Sequence, residues 1–179
     1  EWQAGELLAA LDSCGLPLVF SMPNADTGNR TIRRMIQDFV VSRDATLVNN
    51  FGTEGYFSLM AASAAMVGNS SSGIIEAASF QLPVVNVGTR QAGRVRGRNV
   101  IDTDYDRESI LKGIREAVTP RFRENLHDLV NPYGDGKAAE IIVRVLSEVP
   151  LDERLIRKRF FDLPLPSDLK AFGESGGAG

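Results

Sequence analysis

Short apolar segments alternate with segments of helical spacing along this chain of 179 residues, and this alternation limits the possible folds more than any other feature. The apolar segments do not alternate polar with apolar residues, which is typical of strands covered on both faces. The predicted strands are 16–21, 46–50, 65–67, 83–87 and 100–102. The predicted helices are 2–14, one that starts at Asp26 or Thr27 and runs through Val40, 56–64, 72–80, 106–118, 137–149 and 151–161. The pattern predicts an α/β protein with a doubly wound, Rossmann-like parallel sheet.

Domain organisation follows from where this pattern stops. Residues 1–161 are predicted to form one domain. Residues 162–179 are rich first in proline and then in glycine, which predicts a disordered C-terminal tail. The chain has no initiator Met and enters a helical pattern directly at Glu1, so we expect it to be a piece of a longer protein.

Charge and cysteine content exclude several classes of function. The net charge is −3, and the basic residues are clustered locally, which argues against binding to nucleic acid or to an anionic membrane surface. Cys14 is the only cysteine, so the chain can form no intrachain disulfide and no cysteine-based metal site; a reducing compartment, the cytoplasm, is expected. No run reaches the roughly 18 to 20 apolar residues of a membrane span, and no signal peptide is recognisable.

Few residues suggest classical catalytic or metal chemistry. His127 is the only histidine and is predicted to be a surface residue, so no Ser-His-Asp triad is expected. Asp102, Asp104 and Asp106 alternate, but a calcium loop would need a matching glycine and a terminal glutamate. We interpret these residues as a loop followed by a helix N-cap at Asp106. The sequence predicts no metal site and no cofactor.

A serine-rich turn follows the third predicted strand and opens a predicted helix. It reads Ser70-Ser71-Ser72-Gly73. Unpaired N–H groups at a helix start, together with serine hydroxyls, can bind phosphate oxygens, and glycine allows a close approach to the backbone. The alternative is that Ser72 simply caps the helix. Three serines between two glycines are more than a cap needs, so we predict contact with phosphate.

Glu76 lies four residues beyond Ser72, on the same predicted helix face. A carboxylate there repels phosphate but can accept hydrogen bonds from the vicinal hydroxyls of a ribose, as acidic residues do in nucleotide-binding folds. The alternative is a carboxylate favoured near a helix N-terminus by the helix dipole. On the residues alone, both interpretations stay open.

An arginine-rich segment follows the fourth predicted strand. Arginine suits bidentate phosphate recognition, and Arg90, nearest the strand end, is predicted to contact a diphosphate. A solvated basic loop is the simpler interpretation for most of the others, which are Arg94, Arg96 and Arg98. Asn24 could reach a ligand from the end of the first strand or could only form a turn, and segment 49–53 could offer backbone groups to a base edge.

Three segments together resemble the hydrolysing UDP-N-acetylglucosamine 2-epimerases of sialic acid and related nonulosonic acid pathways. They are GNSSSGIIEAASFQLPVVNVGTRQAGR (68–94), NPYGDGKAAEII (131–142) and MPNADTGN (22–29), the last similar to the family's MPN-x-D-x-G stretch. The resemblance covers roughly residues 1–160. It implies the C-terminal, UDP-holding half of a GT-B type enzyme, which eliminates UDP to a glycal and adds water to give N-acetylmannosamine.

The same resemblance implies roles for individual residues. The diphosphate would contact the serine turn and Arg90, and Arg90 would also stabilise its departure. Glu76 would hold the ribose, and Asn24 would lie near the uridine. The family's acid/base carboxylates and its active-site histidine belong to segments outside this chain, so residues 1–179 alone are expected to be inactive. The expected partners are UDP or a UDP-sugar and the protein's own N-terminal domain, and the full-length protein is expected to be a homo-oligomer.

Two other functions stay open on the sequence. A GT-B glycosyltransferase half would use the same kind of turn and glutamate, although GTRQAGR and NPYGDG fit the epimerases better. A stand-alone nucleotide-binding domain without catalytic activity is the second alternative. The identity of the sugar, the base preference and any regulation are not dictated by the residues.

Overall fold

The computed structural model describes residues 1–22, 29–43 and 45–157. By its internal contacts the chain divides into two compact units, Glu1–Gly136 and Lys137–Gly179. In the first unit the strands are β1 Val19–Ser21, β2 Thr46–Val48, β3 Met66–Gly68, β4 Val84–Val87 and β5 Val100–Thr103. Its α-helices are α1 Trp2–Asp12, α2 Asn29–Arg43, α3 Gly52–Ala62, α4 Ser72–Ile75, α5 Arg107–Ala117 and α6 Pro120–Glu124, and a 3₁₀ helix spans Ala77–Phe80.

All the strand pairs in the described residues are parallel. β1 pairs with β2, and β4 lies between β3 and β5. The strands are hydrogen-bonded in two groups, of two and three strands. The α/β class and the parallel pairing are as predicted from the sequence.

Strand β4 is buried on both faces, and its residues alternate between two apolar clusters. Val85 and Val87 pack with buried residues of α1 and α5. Val84 packs with Met60 of α3 and Ala77 of the 3₁₀ helix. Because successive strand residues point to opposite faces, helices cover both faces of this sheet, which explains why the strand sequence lacks a polar alternation.

The predicted helix 72–80 is broken at Glu76, which separates α4 from the 3₁₀ helix. The carbonyl of Ile75 accepts a hydrogen bond from Asn131 Nδ2 at 2.8 Å, while the Ser79 N–H bonds to the Glu76 carbonyl. This second bond closes a tighter, 3₁₀-type turn. An asparagine far away in the sequence thus bonds to the carbonyl at which the α-helix stops.

Helix α3 begins at Gly52, earlier than the predicted start at Tyr56. The Asn50 side chain accepts a hydrogen bond from the Gly52 N–H at 2.8 Å. Such an asparagine turn can direct the chain from β2 into the helix. The helix consequently takes up most of the segment that was predicted to be a loop after β2.

The second unit contains α7 Ala138–Glu148 and α8 Glu153–Ile156. Helix α7 agrees with the predicted helix 137–149, and none of its residues is buried. The predicted helix 151–161 is described only as far as residue 157, where α8 covers part of it, and residues 158–161 and the predicted tail 162–179 lie outside the described residues. The domain boundary at residue 161 stays a prediction. Across the described residues, no helix combines the length and apolar character required to span a membrane.

Candidate functional site

Two loops meet at the carboxyl edge of the β3–β4–β5 sheet. The first is the serine turn, residues 69–72, which follows β3 and ends at the first residue of α4; the second is the arginine loop, residues 88–98, which follows β4. Gln91 of the arginine loop donates from Nε2 to the Asn69 carbonyl at 2.8 Å. The two segments predicted to form an anion site are therefore in contact, at the edge where α/β folds bind ligands.

The three serines of the turn have different environments. Ser70 and Ser71 are exposed, and Ser70 Oγ accepts a hydrogen bond from the Ser72 N–H at 3.3 Å. Ser71 occupies the N-cap position of α4 without a side-chain capping bond. The Ser72 hydroxyl instead accepts a hydrogen bond from Tyr56 Oη at 2.9 Å, which holds it toward α3. Ser72 is thus the first residue of the helix rather than its cap.

Helix α4 is only four residues long. A dipole of the size that aligned peptides build over a long helix is therefore not available here. The attraction for an anion has to come from the local N–H groups and hydroxyls of the turn. This outcome differs from the sequence analysis, which assumed a longer helix.

Gly73 is buried beneath the turn. A Cβ atom there would lie 2.9 Å from Val84 Cγ1, so the absence of a side chain lets α4 pack closely on β4. Packing accounts for this glycine by itself. Its contact with a phosphate stays a prediction.

Glu76 lies at the break between α4 and the 3₁₀ helix and is half-buried. Its Oε2 atom is buried and has no hydrogen-bond donor among the residues that the structure describes. A buried carboxylate oxygen without a donor is costly. Glu76 is therefore suited to accept hydrogen bonds from a hydroxyl-bearing ligand.

The four arginines of the loop differ in their exposure to solvent and in their ion pairs. Arg90 and Arg94 are exposed. Arg96 forms an ion pair with Asp102 of β5, and Arg98 forms one with Asp128. The interpretation as a solvated basic loop is wrong for Arg96, whose side chain is largely buried, whereas Arg98 is exposed and paired. Asp102, which the sequence analysis assigned to a plain loop, is the partner of Arg96.

Tyr105 holds the start of the arginine loop. Its hydroxyl lies 3.1 Å from Thr89 Oγ1 and accepts a hydrogen bond from the Thr89 N–H at 3.0 Å. These contacts with the Thr89 side chain and backbone lower the pKa of Tyr105. No sequence pattern predicts this contact, because the partners meet only once β4 and β5 pair.

The NPYGDG motif holds both parts of the site. Asn131 Nδ2 bonds to the Ile75 carbonyl at 2.8 Å and to Ser79 Oγ at 2.7 Å, on either side of Glu76. Tyr133 Oη donates to the Val95 carbonyl, within the arginine loop, at 2.9 Å. The turn-forming residues of this motif predict a break between helices, and they do not predict its contacts with the site.

The remaining candidates have simple outcomes. Asn24 lies outside the described residues. Asp106 accepts a hydrogen bond from the Ser109 N–H at 2.9 Å, which confirms the predicted N-cap of α5. His127 is exposed, as predicted. No group of three or more His, Cys, Asp or Glu side chains in the described part of the chain could hold a metal ion.

Comparison with solved structures identifies epimerases with the same fold. The S. aureus MnaA–UDP co-structure has a TM-score of 0.69 and 21% sequence identity, covering 82% of this chain and 42% of that one. The Methanocaldococcus jannaschii UDP-GlcNAc 2-epimerase, in complex with UDP-GlcNAc and UDP, has a TM-score of 0.66 and 15% identity, covering 82% and 41%. These neighbours have the GT-B type fold, in agreement with the Rossmann-like half predicted here.

Comparison with curated proteins gives closer relatives. The UDP-N,N'-diacetylbacillosamine 2-epimerase (hydrolyzing) of Legionella pneumophila is 40% identical over 87% of this chain and 40% of the relative. The GDP/UDP-N,N'-diacetylbacillosamine 2-epimerase (hydrolyzing) of Campylobacter jejuni is 37% identical over 88% and 41%. The chain thus spans about 40% of the length of these relatives.

The family model described as UDP-N-acetylglucosamine 2-epimerase matches residues 1–147. The match includes the serine turn, the arginine loop and the NPYGDG motif. It favours an epimerase over a glycosyltransferase half. This chain belongs to the UDP-N-acetylglucosamine 2-epimerase family.

Proposed function

We propose that this chain is the UDP-holding part of a hydrolysing UDP-N-acetylglucosamine 2-epimerase. The observation that carries the proposal is the buried Oε2 of Glu76, which has no hydrogen-bond donor among the described residues and lies one helical turn from the serine turn. A ribose supplies two vicinal hydroxyl donors, and a diphosphate attached to that ribose supplies the anion. The ligand that satisfies both features is a nucleoside diphosphate.

The serine turn and Arg90 are proposed to hold the diphosphate. Ser70 and Ser71 present exposed hydroxyls, and Arg90 is exposed on the adjoining loop. Elimination of UDP across C1–C2 of the sugar increases the negative charge on the leaving diphosphate. Preorganised donors and a guanidinium group stabilise that charge and so assist departure as well as binding. Water then adds to the glycal to release the 2-epimeric free sugar.

The choice of uridine and of the sugar class is supported by the relatives. Two solved neighbours are complexes with UDP or UDP-GlcNAc. A diacetamido sugar is the second candidate substrate, because the Legionella relative named for UDP-N,N'-diacetylbacillosamine is 40% identical, whereas the Neisseria meningitidis UDP-N-acetylglucosamine 2-epimerase is 29% identical.

The rest of the protein is part of the proposal. Acid/base groups for the elimination are expected from an N-terminal domain that closes over this one. Homo-oligomerisation of the full-length protein and a cytoplasmic location, where the single unpaired cysteine would stay reduced, complete the proposal. The N-terminal domain is proposed because the relatives are more than twice as long as this chain.

The function is tested by titrating residues 1–179 with UDP and following backbone amide signals. We expect shifts centred on residues 68–76 and 90, and a weaker response to ADP. Glu76→Gln should weaken UDP binding by about tenfold, the scale of one hydrogen bond to a charged group. Removal of the buried charge should leave the thermal midpoint unchanged or higher, because the buried carboxylate oxygen has no donor within the part of the chain that the structure describes.

Glu116→Gln is the matched control, since Glu116 is an exposed glutamate at the far end of α5 from the site. A second control is 2′,3′-dideoxy-UDP, for which Glu76→Gln should change nothing. Equal losses of affinity for UDP and for the dideoxy analogue would remove Glu76 from the ribose site. Amide shifts confined to other parts of the chain would overturn the proposed function.

A further inference from the structure

The arginine loop is joined to the serine turn by a buried amide. Gln91 is only 3% exposed, and its Nε2 donates to the carbonyl of Asn69, the residue directly before Ser70. Its Oε1 is buried and has no partner among the described residues. An apolar side chain would fill this position without the free-energy cost of burying an unpaired carbonyl oxygen. The amide is therefore explained by the connection it makes between two loops.

The same loop is joined to the sheet through Arg96. Its Nη2 donates to the Gln91 carbonyl at 2.9 Å, and its Nη1 contacts the Asp102 carboxylate, with 2.5 Å to Oδ2. Asp102 Oδ1 also accepts from Nδ2 of Asn86, a residue of β4 that is 2% exposed. A continuous polar chain thus runs from β4 and β5, through Arg96 and Gln91, to the serine turn.

This connection is more specific than a surface ion pair. The Arg96 side chain is only 23% exposed, and its guanidinium fork bonds two different acceptors in a fixed geometry. Exposed ion pairs contribute little to stability. A partly buried polar network instead favours one arrangement of the groups that it joins.

The geometry affects Arg90 directly. Gln91 is its neighbour in the chain, and both the side chain and the carbonyl of Gln91 are bonded. The backbone next to Arg90 is consequently held at a set distance from Ser70. We propose that Gln91, Arg96 and Asp102 are positioning residues, which hold Arg90 and the serine turn in the relative placement that one diphosphate requires. This inference rests on the proposed function, because it takes Arg90 and the serine turn as the diphosphate site.

The test compares ligands with and without phosphate. Gln91→Met keeps the volume of the side chain but removes the bond to Asn69, and Asp102→Asn keeps the shape but removes the ion pair. Each variant should bind UDP about tenfold more weakly, as expected when one charge-assisted contact is misplaced. Each should bind uridine as the unchanged protein does, since the ribose contact at Glu76 lies outside the network.

Asp128→Asn is the matched control. Asp128 also pairs with an arginine of this loop, Arg98, but it is 88% exposed and makes no contact with Gln91. For the Asp128→Asn variant, the ratio of UDP affinity to uridine affinity should equal that of the unchanged protein. Circular dichroism and the thermal midpoint establish that each variant is folded.

The outcomes separate the two proposals. If the unchanged chain binds UDP but both variants keep the normal ratio of UDP to uridine affinity, the positioning role is overturned and the proposed function stands. Equal losses for UDP and uridine would likewise overturn it, since they indicate a general loss of structure. Failure of the unchanged chain to bind UDP would overturn the proposed function and this inference together.

Discussion

At the scale of single residues, Gly88 is a position where both the backbone conformation and the neighbouring atoms disfavour a side chain. It follows β4 directly and has a φ of +75°. A Cβ atom there would lie 2.1 Å from the ring of Tyr105, which holds Thr89 at the start of the arginine loop. Gly93 has a similar φ of +77°, but a Cβ atom there would meet nothing within 4 Å.

The pair gives a prediction with its own control. Gly93→Ala should cost about 1–2 kcal/mol in the free energy of unfolding, the penalty for a left-handed residue with a side chain. Gly88→Ala should cost a further 1–3 kcal/mol, roughly, because Tyr105 has to move. Urea denaturation at constant m-value measures both. Equal losses in the free energy of unfolding for the two variants would contradict this prediction, because they would mean that Tyr105 moves without an energetic cost.

Residue-level predictions from sequence succeed where the contact is local. The N-cap at Asp106 could be read because its bond reaches only to Ser109. Arg96 and Asp102 are close in sequence, yet their ion pair depends on the return of the chain into β5. The bond between Gln91 and Asn69 requires the adjacent pairing of β3 and β4. Sequence spacing carries no information about either contact.

At the scale of secondary structure elements, the break between α4 and the 3₁₀ helix is the main departure from the sequence pattern. The apolar residues of 72–80 have helical spacing, so a single helix is the natural prediction. At the break, Asn131 occupies the Ile75 carbonyl, which would accept the next bond of a continuous α-helix. No local signal could have revealed a partner at that distance along the chain.

Asn131→Ala should loosen this break. It removes bonds to the Ile75 carbonyl and to Ser79 Oγ, and an unsatisfied buried acceptor costs about 1–3 kcal/mol. We expect a lower thermal midpoint and faster amide exchange over residues 76–79. Asn125→Ala is the control, because Asn125 is exposed and contacts Arg98 only through its backbone carbonyl. Unchanged exchange in Asn131→Ala would mean that the break is intrinsic to the local sequence.

At the scale of the whole molecule, the chain covers about 40% of its curated relatives. Residues 1–179 should therefore bind UDP without turning over a UDP-sugar, and the full-length protein should be active. In that protein Arg90→Ala should lower kcat/KM by about 10²-fold, the scale for one lost donor to a developing charge. A coupled assay of UDP release measures both. Steady release by residues 1–179 alone would contradict the first expectation, and an unchanged kcat/KM would contradict the second.

The alternation of apolar and helical segments was sufficient to predict the α/β class, because parallel strands need long connections, which are usually helices. It also located the candidate site, because the serine turn and the arginine loop both follow strands and parallel strands end at one edge. Which sugar is bound could not be predicted in the same way. The residues proposed to contact the sugar belong largely to a part of the protein that this chain does not contain.

The arginine loop has no regular secondary structure, yet its backbone is held along its length. Tyr105 binds its start, Gln91 and Arg96 its middle, and Tyr133 the Val95 carbonyl near its end. A loop tied in this way has already lost most of its conformational entropy during folding. Binding of an anion should then require little further ordering of the loop. The entropy cost that weakens ligand binding by most irregular loops should therefore be small here.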